Sequence, residues 1–202
     1  MLTRKSFDTA RRFIETTARP LEVARLRYAF EDGTRESVIE ALSKYQNADG
    51  GFGHALEPDL RAEDSSALCT SVAFQTLRAI GASSDEACVV TGIKYLLETL
   101  DSEEGHWRII PELAAQSPHA PWWQQAGQEA AYNSFSLNPT AEILGYLYDH
   151  QSQTPDDILS LVSDRVLSYL AEQEEIEMHD LLCCLRLLQT ESLPDEMKDQ
   201  VY

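Results

Sequence analysis

The chain is poor in positive charge, in paired cysteines and in long apolar runs, and each shortage excludes something. Its 202 residues carry 16 Lys plus Arg against 34 Asp plus Glu, a formal net charge of −18. The deficit of bases lies downstream: residues 1–45 hold nine basic and seven acidic side chains, and residues 46–202 hold seven and 27. A surface of that sign repels phosphate backbones and anionic lipid heads, so the composition argues against nucleic acid or a membrane surface as a partner. No apolar stretch approaches the roughly 18 residues that span a bilayer, and Met1 to Asp8 lacks the apolar segment of a signal peptide. The expectation is a cytoplasmic protein without a membrane span. Cys69, Cys88, Cys183 and Cys184 form no CxxC pair, and two are adjacent, a poor geometry for bonding to each other. They read as reduced, buried, small apolar residues. Alternating strand patterns are almost absent.

What is present is helical. Apolar residues at 43% and aromatics at 8% suffice for a real core, so the acidity does not signify disorder. Periodicity predicts helices over 4–18, 21–31, 35–46, 66–80, 85–100, 139–151, 156–172, 178–190 and 195–202. Ser83-Ser84-Asp85-Glu86 reads as a capping box. Asn138-Pro139 and Thr154-Pro155 each put a capping residue before a proline at the first helical position. Gly33 and Gly81 read as stops. Asp156 to Leu170 is one-sided, the mark of a surface helix, whereas Ala67 to Phe74 and Leu181 to Leu188 are apolar nearly all round. This alternation predicts an all-α fold of two concentric layers, inner helices around an axis and outer ones wrapping them.

A repeat lies within this pattern. Ala41 to Phe52 and Tyr95 to Trp107 each pair the end of an outer helix with a short acidic turn and then Gly-x-aromatic, and Tyr169 to Gln173 keeps only the helical part and the glutamine. Gly92, Tyr95, Leu96, Gly105 and Trp107, with Gln46, Gly50 and Phe52 in the other copy, resemble the QW repeat of squalene-cyclase-type proteins. The string Gln46-Asn47-Ala48-Asp49-Gly50-Gly51-Phe52-Gly53, followed by Asp64 and the Thr70 to Phe74 helix, resembles the prenyltransferase β-subunit repeat. Over residues 34–107 the chain is thus similar to the terpenoid cyclase and protein prenyltransferase superfamily. The resemblance implies an α/α toroid, complete or incomplete, as a single domain over 1–202. A full toroid of six helix pairs needs twelve helices, so this chain implies a smaller open ring or part of a longer product. An exposed flank on the Leu181 to Leu188 helix is the expected sign of missing pairs. The motif itself is structural: a glutamine carboxamide binds backbone groups at neighbouring helix ends, and glycines permit the tight reversal.

The family's catalytic signatures are absent. There is no DxDD, Asp156-Asp157-Ile158-Leu159-Ser160 lacks the last acid of DDxxD, and Asp180 and Cys183 stand one residue too far apart for the zinc-binding DxC pair. No metal site is expected, and the sequence names no cofactor. His179 and Cys183, four apart, share a helical face without further ligands. The remaining polar density is His54, Glu57, Asp59, Arg61, Glu63 and Asp64, between the GGFG turn and an inner helix whose start faces one end of a toroid cavity. Clustered carboxylates, a histidine and an arginine suit acid/base work, which makes His54, Glu57, Asp59 and Arg61 the candidate catalytic residues. The bland alternative has Arg61 paired with an acid and Asp64 with Ser65 capping the helix. Trp107, Trp122 and Trp123 fall on one long connection. Trp107 is expected in the core, and Trp122 and Trp123 as the stacking face of a pocket for an isoprenoid chain or a sugar ring. Glu142, on the first turn of an inner helix, and Asp64 complete the candidate ligand-binding set, and Arg186 among leucines is expected to pair with an acid.

Three functions follow as expectations. The first is a terpenoid-cyclase-like toroid whose central pocket takes a small, mostly apolar ligand. The second is an (α/α)-barrel glycoside hydrolase or lyase using paired carboxylates. The third is a non-catalytic helical scaffold, which a filled axis would favour.

Overall fold

The computed structural model describes residues 3–201 and is all-α. Among them only isolated antiparallel bridges form, and no β-sheet. The chain divides into two compact units, one ending at Lys44 and the other beginning at Tyr45.

In the first unit each helix start is set by local chemistry. Thr3 accepts the Ser6 amide to open α1 (Arg4–Thr17), Pro20 occupies the first position of α2 (Pro20–Phe30), and Thr34 accepts the Ser37 amide to open α3 (Arg35–Ser43). Gly33 stops α2 as expected, its amide bonding the Arg27 carbonyl at 3.2 Å. Leu21, Val38, Ala41 and Leu42 are the buried apolar residues, and α1 buries none.

The second unit holds the larger core. Its helices are α4 (Ala67–Ala79), α5 (Ala87–Thr99), α6 (Glu129–Asn133), α7 (Leu137–Asp149), α8 (Asp156–Glu172), α9 (Met178–Leu187) and α10 (Asp195–Val201). α7 is the hub, packing on α4, α8 and most extensively on α9. Gly145 permits that last approach, since a Cβ there would meet Thr190 Oγ1 at 2.7 Å. Side chains tie the ends of α4, α7 and α9 together in order: Asp180 near the start of α9 accepts the Asn138 amide of α7, and Arg78 near the end of α4 reaches Asp149 of α7 and Thr190 beyond α9. The three helices therefore point the same way. α8 is one-sided as its sequence implies, burying Leu159, Val162, Ser163 and Val166.

The two repeat copies share a left-handed glycine, a bridged turn and a buried aromatic, with the bridge one residue shorter in the second. Gly50 and Gly105 each adopt the left-handed conformation, at φ +90° and +68°, which a Cβ disfavours. Antiparallel bridges close the turns at Gln46–Phe52 and Asp101–His106, and each buries its aromatic, Phe52 or Trp107. Gln46 Nε2 donates to the carbonyls of Gly50 (2.8 Å) and Cys88 (3.0 Å) and to Thr91 Oγ1 (2.9 Å), tying the turn to α5. Trp107 Nε1 donates to the Leu96 carbonyl at 2.7 Å.

Four local expectations need correction. No capping box opens α5, because Ser83 Oγ turns to Asp85 and no side chain caps the Glu86 position. Ser66, not Asp64 or Ser65, caps α4 by accepting the Cys69 amide at 3.0 Å. Asn138 is non-helical at the kink directly before Pro139, as a capping position requires, but its Oδ1 faces Cys183 Sγ instead of a helix amide, and Thr154 Oγ1 donates back to the carbonyls of Leu147 and His150. α9 is not walled in, because Cys183, Cys184 and Leu187 are buried against neighbours while Met178, Leu181, Leu182 and Leu185 are exposed.

Candidate functional site

Two segments distant in sequence are zipped together by backbone bonds. The loop after the GGFG turn folds back on itself, with the Ala55 amide on the Ala62 carbonyl (3.2 Å) and the Leu60 amide on that of Glu57 (3.1 Å). It then pairs with the long connection: the Arg61 amide bonds the Pro118 carbonyl at 3.0 Å and the Ala120 amide bonds that of Asp59 at 2.8 Å. Leu60, Ala62, Leu68, Ile110, Ala114 and Tyr132 form a buried cluster beneath, with Ile109 and Trp123 packed on it. Arg108 holds the connection in shape through Asn133, Gln125 and the Ile110 carbonyl. This zipper carries Glu57 and Asp59 to the same place as Trp122 and Trp123.

The four residues border a pocket of about 730 Å³. Its other walls are one stripe from each parallel helix: Leu68, Ser71, Val72 and Gln75 of α4, Asn138 and Glu142 of α7, and His179, Leu182, Cys183 and Arg186 of α9. The stripes of α4 and α9 have the same i, i+3, i+4, i+7 spacing, which puts four side chains on one face of a helix.

Glu142 sits at the polar heart of this pocket and is only 2% exposed. Arg186 Nη1 donates to its Oε2 at 2.9 Å, and Gln75 Nε2 reaches Oε1 and Oε2 at 3.2 and 3.3 Å. A buried carboxylate is tolerated only when paired and hydrogen-bonded in this way. The pair expected for Arg186 is thus made, with Gln75 as a second partner of Glu142. Burial pushes the Cys183 thiol up, with the Glu142 charge adding to the effect, so it stays protonated, its Sγ lying 3.7 Å from Asn138 Oδ1. Burial also raises the Asp180 carboxyl, against the Asn138 amide it accepts. His179 turns to Glu177, Nδ1 to Oε1 at 3.0 Å, so it and Cys183 do not form a ligand pair. Among the described residues no group of three or more His, Cys, Asp or Glu is arranged to hold a metal ion.

Of the residues singled out from sequence, Glu57, Asp59, Trp122, Trp123 and Glu142 therefore converge on one pocket. His54, Arg61 and Asp64 are exposed and do not line it. His54 Nε2 is held at 2.7 Å from Asn47 Oδ1 in the turn of the repeat. Trp122 is 65% exposed, and Trp123 is half-buried with an indole nitrogen that meets no acceptor. Gln75, Asn138 and Leu182 also line the site and were not legible as such beforehand. The signal for Gln75 is its position, seven residues after Leu68 on the face that also carries Ser71 and Val72.

No protein family matches this chain, and neither curated proteins nor solved structures yield a match.

Proposed function

We propose that this chain is a small-molecule-binding protein of the α/α-toroid type whose pocket takes a mostly apolar ligand with a polar end that is not a phosphate. The observation that carries this reading is the convergence of Trp122, Trp123, Leu68, Val72 and Leu182 with three carboxylates around one opening. Apolar walls with a few placed polar groups are the usual make-up of a ligand site. Glu57, Asp59 and Glu142 against a single Arg186 leave the lining negative, and like charge disfavours an isoprenyl diphosphate there. The toroid reading is supported by the three parallel helices and the shared geometry of the two repeat turns. The uncovered flank of α9 suits an open ring, and an open pocket counts against a filled scaffold. Glu57 and Asp59, carried to the pocket on its loop, are carboxyls beside the indoles where a bound molecule would meet them.

A thermal-shift titration with farnesol, farnesyl diphosphate with and without magnesium or zinc, and a panel of oligosaccharides tests this. A bound ligand at a hundred times its dissociation constant adds about 2.7 kcal/mol of stability. The alcohol should raise the transition and the diphosphate should not. A larger shift with the diphosphate, or none with any compound, would remove this reading. A carbohydrate-active enzyme is the second reading, favoured by the exposed Trp122 ring beside Glu57 and Asp59. An oligosaccharide-specific shift, with cleavage that E57Q and D59N abolish, would put it first.

A further inference from the structure

The charge and the aromatic surface of this pocket say more about its ligand than that it is apolar. We infer that the pocket selects an organic cation, an ammonium group bearing apolar substituents, over an uncharged molecule of the same shape. The inference rests on the pocket being a binding site, and it deepens that reading.

Four observations combine. First, the ionisable lining is Glu57, Asp59 and Glu142 against Arg186, three negative charges to one positive, with His179 already turned to Glu177. Second, that single positive charge is spent, since Arg186 holds the buried Glu142 at 2.9 Å and the two cancel locally. The other ionisable side chains at the mouth, Glu57 and Asp59, are both acids.

Third, the two indoles stand on the same pocket. Trp122 is 65% exposed and lines the opening, where an entering group can meet its ring. The ring quadrupole is negative over that face and attracts a cation, tryptophan most strongly of the aromatic residues. Trp123 is fixed against the buried cluster of Leu60, Ala62, Leu68, Ile110, Ala114 and Tyr132, so its ring is a rigid wall. Carboxylates beside indoles are the chemistry that recognises alkylated ammonium groups, because such a cation has little hydration to lose and no directional demand for acceptors.

Fourth, the obvious opposing effect is already answered. The N-terminal ends of α4, α7 and α9 all face this side, and helix N-termini favour anions. Ser66 caps α4 on the Cys69 amide, Asp180 takes the Asn138 amide of α7, and Glu177 takes the His179 amide of α9. At each start the protein's own oxygen takes one amide, and two of those oxygens belong to acids, Asp180 and Glu177, which add negative charge to the surroundings. The acidic excess of residues 46–202, 27 against seven bases, extends the same sign across the unit and draws cations toward the opening.

The test compares choline with 3,3-dimethylbutan-1-ol, which differs by carbon in place of the charged nitrogen, on the full chain by calorimetric titration. Choline should bind about tenfold more tightly than the alcohol, as a desolvated cation beside indole and carboxylate predicts. The margin should shrink between 50 and 300 mM salt, a range chosen to shorten the screening length by roughly half. In the W122A variant and in the E57Q/D59N double variant, choline binding should fall toward that of the alcohol. These are residues at the mouth whose replacement leaves the buried cluster intact, and unchanged circular dichroism verifies that. Equal binding of the two compounds overturns the inference while leaving the pocket a binding site. Binding of neither also overturns it, and the farnesol and oligosaccharide titrations then decide separately whether the pocket binds anything. A preference for choline that salt and both variants leave untouched overturns it too, since the charge would then be read elsewhere.

Discussion

The parallel trio of α4, α7 and α9 is finished in opposite ways at its two ends. At the C-terminal end Arg78 uses its whole guanidinium: Nε meets Asp149 Oδ2 at 2.7 Å, Nη1 the Arg186 carbonyl at 2.8 Å, Nη2 Thr190 Oγ1 at 2.9 Å, and Cζ lies 4.4 Å from the Tyr146 ring centre. On the side of the N-terminal ends a pocket stands open, and Arg186, itself in the last turn of α9, reaches back along its wall to one buried carboxylate. The layout follows the helix dipoles, a cation where carbonyls converge and acids where amides do. What differs is how much of each arginine is used. One locks three helices together, and the other only neutralises the wall of a cavity.

That comparison can be broken by substitution. The largest effect is expected from R186M, which strands the Glu142 carboxylate in a site 2% exposed. Removing one partner of a buried pair costs about 3 kcal/mol or more, and urea unfolding should show it. Adding E142Q should restore most of the loss, giving a coupling energy that a surface pair would not show. R78M should cost less, about 2 kcal/mol, because the site is partly solvated although several bonds and a cation–π contact go together. A midpoint unchanged within about 0.5 kcal/mol would mean that this end is not locked as the geometry indicates.

A shallower effect is expected with pH. Burial holds His150 and His106 below the ordinary histidine value of 6.5, with Arg78 near His150 and Arg165 near His106 acting in the same sense. A depressed histidine stabilises the fold while neutral, so the contribution is full above 6.5 and is lost as pH falls from there through the folded-state values. H150N should flatten part of that slope, and a slope unchanged in the variant would assign it to other groups. The smallest effect is expected at Trp122: W122A should leave the unfolding midpoint within about 0.5 kcal/mol while ligand-induced shifts diminish.

Much of the architecture is legible in sequence because helices declare themselves over a dozen residues. The predicted stretch 156–172 matches α8 at both ends, and the repeat glycines mark both turns. Helix starts are less legible, since a capping residue is chosen by competition among neighbouring side chains. Ser66 prevails over Asp64 and Ser65 once Ser65 Oγ is drawn to Asp49 at 2.8 Å. One side of the pocket is visible in advance because Trp122, Trp123, Glu57 and Asp59 are unusual where they stand. The juxtaposition is not, because it depends on two backbone bonds between residues 59–61 and 118–120 that carry no side-chain signature. The exposed flank of α9 is illegible for a related reason: an apolar surface in sequence tells that a residue prefers cover, not that cover is supplied.

The unequal setting of the tryptophans gives the molecule two built-in optical channels. Trp107, 2% exposed with its N–H on a backbone carbonyl, emits from an apolar surrounding, whereas Trp122, 65% exposed, emits from water. The blue side of the emission band therefore reports whether the interior is intact, and the red side reports what stands over the Trp122 ring. A titration followed at both wavelengths separates occupancy from unfolding in a single cuvette, and W122F subtracts one channel without dimming the other.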